Sequence, residues 1–423
     1  MKILSLNVRG FAVKGKIGWV RSICLRERPC IAVLQETKCK TISESWVQSI
    51  WGNSNCGFIQ KEVVGKSGGL LIIWDKSAFE VDSTTGCDFF LAIKGRWKNS
   101  GKESTIVNVY GPHKDRNKVL MWDLLEKLIN SISTAWLLCG DFNEVRECSD
   151  RLNSQFYQRR ADRFNDFITR NNLIEIPICG RKFTRISDDG LKFSKLDRFL
   201  VTDNFISLWE DLSVIALDQN LSDHCPLILR DKVLDYGPKP FKVFNEWFEC
   251  IDIGDIIQEA WNQPIRGKRK DCLFRDRLKN VKLALKSWSN SKFGGLDNEI
   301  KKLKEEAMEW ELKAESQPLS DLDRALWLEC RRIWIEKEKI KTGMLKQKAR
   351  VKWTIDGEEN SKFFHAAIRR KYNKSNFRGI NIDGVWFEDP ETVKGFIFQH
   401  FQKQFSKITG CRPRLADFTS AGQ

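Results

Sequence analysis

The residues of this sequence that could do chemistry gather at the ends of short apolar runs. Asn7 follows Ile3–Leu6, Glu36 follows Ile31–Leu34, Asp141 and Asn143 follow Ala135–Cys139, and Tyr110 closes Thr105–Val109. Asp197 and the pair Asp223-His224 instead precede their runs, Phe199–Val201 and Leu227–Leu229. Runs of this length, bounded by Gly, Asn, Asp and Ser, read as buried strands. If the strands that start beyond Asp197 and His224 run antiparallel to those that end at Asn7 and Asp141, all these groups emerge at one sheet edge. That edge would carry a cluster of carboxylates, two carboxamides, an imidazole and a phenol. Metal-assisted phosphodiester hydrolysis needs such a set: oxygen ligands for a hard cation, an activated water, and a donor for the charge that develops on phosphate. Taken singly, each residue is as readily a turn or cap residue, and His224 a satisfied half-buried histidine, so the joint placement carries the reading.

The elements that must position these groups follow from the periodicity. Helical patterns at Lys16–Glu27, Lys118–Ile132 and Ala161–Asn171 interrupt the strand runs, which predicts an α/β layered domain rather than an all-β barrel. Tyr236-Gly237-Pro238-Lys239-Pro240 breaks any regular element, so a first domain over 1–233, a linker over 234–240 and a second body over 241–423 are expected. In that second body Leu296, Ile300, Leu303, Ala307 and Trp310 form a heptad stripe that ends before Pro318, and Leu326, Cys330, Ile333, Ile340 and Met344 resume it. A helical hairpin over about 296–349 is the expectation, followed by a small strand-turn and a helix between Ile380 and Phe405.

Composition bounds the class. With 423 residues, 30% charged and 41% hydrophobic, the chain can bury a sizeable core and is neither disordered nor collagen-like. No apolar run approaches the ~20 residues of a membrane helix, and the opening Met1-Lys2-Ile3-Leu4 lacks a signal-peptide core, so an intracellular protein without membrane partners is expected. The 13 Cys form no C-x-x-C pair and the chain has 4 His, which argues for free thiols and against a structural zinc. The net charge of +15 is uneven: residues 331–380 hold 15 Lys+Arg against 5 Asp+Glu, interleaved with Trp334, Trp353, Phe363, Phe364, Tyr372 and Phe377. That stretch suits a DNA or RNA backbone with stacked bases and equally a solvated helix face.

The local strings add a resemblance. Leu6-Asn7-Val8-Arg9-Gly10, Leu34-Gln35-Glu36-Thr37-Lys38, Asn108-Val109-Tyr110-Gly111-Pro112, Gly140-Asp141-Phe142-Asn143-Glu144, Lys195-Leu196-Asp197-Arg198-Phe199-Leu200 and Ser222-Asp223-His224-Cys225-Pro226-Leu227 occur in that order. In them the sequence is similar to the endonuclease/exonuclease/phosphatase superfamily, and it resembles the endonuclease domain of plant LINE-type (non-LTR) retrotransposons. The stretch Trp353–His365 resembles the segment that leads to the reverse transcriptase in such elements. The resemblance implies a four-layer β-sandwich flanked by helices, deoxyribonuclease I-like, with a mainly α-helical C-terminal appendage.

It also implies roles. Glu36, with Asn7 and Asp223, would hold Mg²⁺ or Mn²⁺. Asp141 would orient or deprotonate water, Asn143 would hold Asp141 and a phosphate oxygen, His224 paired with Asp197 would present a protonated imidazole, and Tyr110 would donate its hydroxyl. Arg9, His113, Phe183, Thr184 and Arg185 fall where the family meets DNA, although Arg9, His113 and Arg185 depart from the residues of the abasic-site repair branch. The implied function is metal-dependent nicking of double-stranded DNA in the nucleus. Cleavage at abasic sites or of another phosphoester, and a catalytically inactive nucleic-acid-binding remnant, are the competing readings. No polymerase or zinc-knuckle string occurs, so a reading frame truncated before the polymerase, without reverse transcriptase activity, is expected.

Overall fold

The computed structural model of the chain describes residues 1–63, 68–209, 211–232, 234–237, 241–265, 269–316, 318–349 and 377–406. Pro238, Lys268, the Trp353–His365 string, Arg369-Arg370-Lys371 and much of the basic stretch lie outside the described residues. Numbered along the chain, the strands form two large sheets. One runs β11 (Ile178–Cys179), β15 (Leu212–Ala216), β16 (Leu227–Asp231), β1 (Lys2–Asn7), β2 (Ile31–Gln35), β4 (Leu70–Asp75), β3 (Cys56–Lys61). The other runs β10 (Ile174–Glu175), β14 (Asp197–Val201), β8 (Ala135–Asp141), β7 (Glu103–Tyr110), β6 (Phe90–Trp97), β5 (Phe79–Gly86). A small third sheet joins β12 (Arg185–Ile186), β13 (Phe193–Ser194) and β9 (Arg151–Leu152).

Side-chain alternation along these strands creates the layers, because successive residues of a strand face opposite sides of its sheet. Ile3, Ile31 and Val33 of the first sheet meet Ile106, Leu137 and Cys139 of the second in a central core. Their neighbours Leu4, Leu6, Ala32 and Leu34 face outward, onto Val20 and Ile23 of α1 (Lys16–Glu27) and Val47 and Ile50 of α2 (Glu44–Trp51). On the far side Val107, Val109 and Leu138 meet Met121 and Leu125 of α3 (Asp115–Ser131) and Phe164 and Phe167 of α4 (Gln158–Arg170). Helix, sheet, sheet, helix is the four-layer sandwich expected from the sequence. Both sheets are mixed. β1 pairs with β2 in parallel but with β16 antiparallel, and β8 pairs with β7 in parallel but with β14 antiparallel. The condition that would bring the polar residues to one edge is therefore met.

A buried polar pin locks the sheets together at that edge. Asn108 of β7, wholly buried, donates from Nδ2 to the carbonyls of Leu34 (3.0 Å) and Leu71 (3.1 Å) and accepts from Gln35 Nε2 (2.6 Å). A second buried polar cluster anchors the start of β14. Arg198 bonds Glu175 (2.6 Å), Asp150 (2.7 Å) and the Lys195 carbonyl (3.1 Å), while Arg146 and Lys195 also reach Glu175 (2.8 and 2.6 Å). One cation thus ties β10, β14 and the turn before β9.

Contacts divide the chain into Met1–Tyr236 with the described part of Asn373–Gln423, and a second unit, Gly237–Tyr372. The tail therefore goes with the sandwich and not with the helices, which differs from the expectation of one body over 241–423. It forms a hairpin, β17 (Ile380–Ile382) and β18 (Val385–Phe387), and a helix. Polar groups dock the hairpin on the sheet edge: Glu388 pairs with Arg230 (2.5 Å) and accepts from Tyr236 through its carbonyl (3.2 Å), and Asn381 donates to the Gly180 carbonyl (3.2 Å).

After α5 (Asp203–Leu208), the short helix that follows β14 in the sandwich, the second unit is helical, with α6 (Ile253–Asn262), α7 (Lys270–Phe293), α8 (Leu296–Ser316) and α9 (Asp321–Ala349) among its described residues. Leu296, Ile300 and Ala307 of the expected stripe are buried on α8, and Cys330 of α9 is buried with its Sγ on the Leu303 carbonyl (3.3 Å), whereas Leu326 is exposed. Lys337–Glu299 (2.6 Å), Lys341–Asp297 (2.8 Å) and Lys313–Asp323 (3.0 Å) bridge α8 and α9 in antiparallel order.

Burial would raise the Glu175 carboxyl, but Arg198, Lys195 and Arg146 outweigh it and hold it at about 2. In the unfolded chain it returns to the ordinary carboxylate range near ~4.3. Its stabilisation is present in full above that range and is lost as pH falls toward 2. Glu175→Gln should flatten the loss of stability between those limits in acid unfolding followed by Trp fluorescence. Arg198→Ala, which takes the ion-pair partner from buried Asp150 and one of three cations from Glu175, should cost about 3–5 kcal/mol in urea unfolding at neutral pH; an unchanged midpoint would show that the cluster does not anchor β14.

Candidate active site

Strand register sets the site. In the β8–β14 pair Asp141 stands directly opposite Asp197, and in the β7–β8 pair Tyr110 stands beside Asp141. The residue before Asp141 has to be glycine: Gly140 has φ +134°, and a Cβ on it would lie 2.1 Å from the Val109 carbonyl oxygen. On the facing sheet β1 delivers Asn7. The loop just ahead of β16 delivers Asp223 and His224, held by Ser222, whose hydroxyl donates to the Asn7 carbonyl (2.7 Å) and accepts from the His224 N–H (3.1 Å).

Asp141, Asp197 and His224 form a buried trio. His224 Nδ1 lies 2.8 Å from Asp197 Oδ2, and its Nε2 lies 3.7 Å from Asp141 Oδ2. Burial alone would depress the imidazole, but Asp197 and Asp141 outweigh it and push its pKa up to about 9. Burial, reinforced by the neighbouring Asp197, raises the Asp141 carboxyl against the pull of His224. Asp141 accepts from Asn7 Nδ2 (2.9 Å) at one oxygen and from the Asn143 N–H (2.9 Å) at the other. Both it and the imidazole are thereby fixed in orientation.

Beyond the trio opens a cavity of about 440 Å³, onto which Asn7, Glu36, Tyr110, Asp141, Asn143, Asp223 and His224 all face. Arg9, His113 and Arg185 stand on its wall. Asp197 does not line it and sits behind His224. Phe183 packs on Phe193 (5.7 Å between ring centroids) and Thr184 is fully buried, its Oγ1 accepting from the N–H groups of Leu196 and Asp197 (3.0 Å each). Phe183 and Thr184 do not line the cavity; Thr184 instead shapes the strand start that carries Asp197.

Several contributors gave little sign in the sequence. Arg151 and Lys192, from the small third sheet and its hairpin, and Arg160 of α4 also line the cavity. Two buried lysines brace the turns that follow the asparagines: Lys16 donates to the Val8 carbonyl (2.7 Å) and Lys118 to that of Asn143 (2.6 Å) and to Glu144 (2.5 Å). A lysine inside a helical pattern looks like a solvated face, and only the fold shows it turned inward.

Two groups of residues could take a cation. The trio offers three ligand atoms within 4.8 Å of one another. A ring that keeps its proton to about pH 9 between two carboxylates has no lone pair to give, so a proton already serves that position. Glu36 and Asp223 suit a hard ion better. Asp223 Oδ1 is buried and takes no hydrogen bond among the described residues, an acceptor still to be satisfied. Its Oδ2 meets Arg185 Nε at 3.0 Å, and Glu36 Oε1 meets Lys38 Nζ at 2.9 Å. Asn7 Oδ1 accepts from the Arg9 N–H (2.9 Å), which leaves its second lone pair for a cation, while Nδ2 serves Asp141.

Residues 4–224 match the Endonuclease/Exonuclease/phosphatase family. Solved structures share the fold at low identity. The AP endonuclease LMAP from Leishmania major superposes with a TM-score of 0.45 at 16% identity, over 54% of this chain and 86% of that one. The endonuclease domain of TRAS1, a telomere-specific non-LTR retrotransposon, gives 0.42 at 14% over 54% and 96% of the two chains. An AP endonuclease from Archaeoglobus fulgidus gives 0.42 at 18% over 55% and 100%. No curated protein matches the chain.

The trio predicts an imidazole charged well above neutral pH. With a folded pKa near 9 against ~6.5 unfolded, its pairing stabilises the protein fully below ~6.5 and the contribution fades as pH rises through 9. In EDTA, NMR of the His224 ring should show its transition near pH 9, and Asp197→Asn should lower it by about one unit or more. A wild-type ring already neutral at pH 7 would refute the assignment.

Proposed function

This chain belongs to the endonuclease/exonuclease/phosphatase family, and from that membership we propose that it is a Mg²⁺-dependent endonuclease that nicks double-stranded DNA by phosphodiester hydrolysis, of LINE-type retrotransposon origin. The observation that carries the reading is the trio Asp197–His224–Asp141 at the head of a cavity that also holds Glu36, Asp223 and several arginines.

Glu36 and Asp223 would hold the cation, with Asn7 beside them. When bound, it would polarise a phosphoryl oxygen and offset the charge of the group in flight. The protein's own side chains do the rest. Asp141, made more basic by burial and steered by Asn7 and Asn143, takes the proton of the attacking water. His224, its Nδ1–H held by Asp197, donates from Nε2 to a non-bridging phosphate oxygen as negative charge accumulates there. Tyr110 keeps its proton because burial and the nearby Glu36 and Asp141 raise its pKa, so it too serves as a donor, to a phosphate oxygen or the leaving oxygen. Asn143 Nδ2 donates to the Gly111 carbonyl (2.7 Å), which locks the turn that carries it.

A long polyanion fits better than a small phosphoester. Arg9, Arg151, Arg160, Arg185 and Lys192 surround the cavity, and the chain as a whole carries +15. A nuclear location follows from that substrate.

Supercoiled plasmid incubated with the purified protein should convert to relaxed circle with Mg²⁺ and not with EDTA. Asp141→Asn and His224→Ala should each lower the rate by about 10²–10⁴-fold while the fold, read by circular dichroism, is kept. Wild-type protein without metal-dependent nicking, or variants that nick as fast as wild type, would defeat the reading.

A further inference from the structure

At the mouth of the cavity four charges alternate in a row: Asp188, Arg9, Asp223, Arg185. Arg9 meets Asp188 in a two-pronged pair, Nη1 to Oδ1 at 2.5 Å and Nη2 to Oδ2 at 2.8 Å, and its Nη1 lies 3.7 Å from Asp223 Oδ2. Asp223 in turn receives Arg185 Nε. The base of Arg9 is rigid. Its backbone is left-handed (φ 51°), its N–H is held by Asn7, and Gly10 next to it donates to the Glu36 carbonyl (2.6 Å). Its guanidinium is thus aimed across the mouth and stops on a residue of the opposite hairpin.

That residue has no evident part in building the hairpin. The turn after β12 closes through Gly190 N–H to the Ser187 carbonyl (2.8 Å) and Ser187 N–H to that of Lys192 (2.9 Å). The neighbouring Asp189 serves it, accepting from the Ser187 hydroxyl and the Leu191 N–H. The Asp188 side chain, 70% exposed, has Arg9 as its hydrogen-bond partner among the described residues. A carboxylate that presents two oxygens to a guanidinium has the geometry of a phosphate doing the same.

We propose that Asp188 is an internal stand-in for a substrate phosphate at Arg9: it occupies a subsite for a phosphate that flanks the scissile one, and it must be displaced when DNA enters. The proposal rests on the nucleic-acid reading above and deepens it to a selection rule. An isolated phosphomonoester brings one anionic group, which the centre claims, and nothing with which to evict Asp188. A duplex brings neighbouring phosphates whose combined contacts make the exchange favourable. Asp188 thus raises the threshold for small phosphoesters and leaves polynucleotides able to cross it.

The test is a double-mutant cycle on the full-length protein. Fluorescence anisotropy measures binding of a labelled duplex of about one helical turn in EDTA, so that no turnover intervenes. Asp188→Asn should tighten binding by about 3- to 10-fold and steepen the log–log salt slope by about 0.9, since one more cation is free to neutralise a phosphate. Asp189→Asn removes the same charge from the same turn without touching Arg9, and should gain less than about twofold. In an Arg9→Met background Asp188→Asn should gain no more than Asp189→Asn. Equal gains from the two aspartates, or a gain from Asp188→Asn that survives loss of Arg9, would reduce the effect to general repulsion and overturn the proposal. Absence of metal-dependent plasmid nicking, in contrast, would sink the catalytic reading and leave the binding cycle to be judged on its own result.

Discussion

Two carboxylates on adjacent strands, directly opposite each other and buried, should repel strongly where water cannot screen them. The register of β8 and β14 imposes that juxtaposition on Asp141 and Asp197, and His224 is what makes it tolerable. The imidazolium arrives from the other sheet, just ahead of β16, so the sandwich has to close before the charges balance. The same closure sets Asn7 on Asp141 and, through Ser222, ties the Asn7 carbonyl to the His224 backbone. Site geometry and sheet packing are therefore one constraint: whatever slides one sheet over the other unpairs a buried charge. Asn108, which crosses from one sheet to the carbonyls of the other, resists that slide close by.

Much of this was legible in the residues. Apolar runs flanked by turn formers marked the inner strands, because a strand covered on both faces needs continuous hydrophobicity. Lys16–Glu27 matches α1 at both ends. The direction of the strands stayed a condition in the residues: Asn7, Asp141, Asp197 and His224 share an edge if the runs that start after a polar group oppose those that end in one, and β16 against β1 and β14 against β8 meet it. Other elements left weak traces for physical reasons. β5 is an edge strand whose residues from Asp82 to Gly86 are exposed, so Phe79–Gly86 has no apolar run. The strands of the small sheet are two residues long, too short for a period of two to register. Arg198 and Lys118 are charged residues that a sequence reading assigns to the surface, yet both are buried because carboxylates wait for them. Asp188-Asp189-Gly190 reads as turn chemistry, and nothing in that string separates the aspartate that builds the turn from the one that reaches Arg9.

The helical pattern after the linker gave the second unit but not the fate of the tail. The heptad stripe reports which residues of a helix seek apolar cover. It says nothing about where Ile380–Ile382 and Val385–Phe387 dock, since a two-stranded hairpin is barely stable alone and takes its place from whatever surface completes it. Here that surface includes Arg230 and Tyr236 at the end of the sandwich sequence.

The rings of Tyr236 and Phe377 stand 5.2 Å apart between centroids, so the chain leaves the sandwich and re-enters it at neighbouring points. The sandwich is thereby assembled from two stretches of polypeptide with all of Gly237–Tyr372 between them. On a ribosome, the catalytic layers emerge long before the hairpin that seals their edge, and the sealed state waits for synthesis of the intervening unit. Loop closure grows only logarithmically in cost with length, so the lengthy excursion adds little thermodynamic burden. For the same reason the intervening unit is free to grow, shrink or be exchanged during evolution, provided that its two ends still meet.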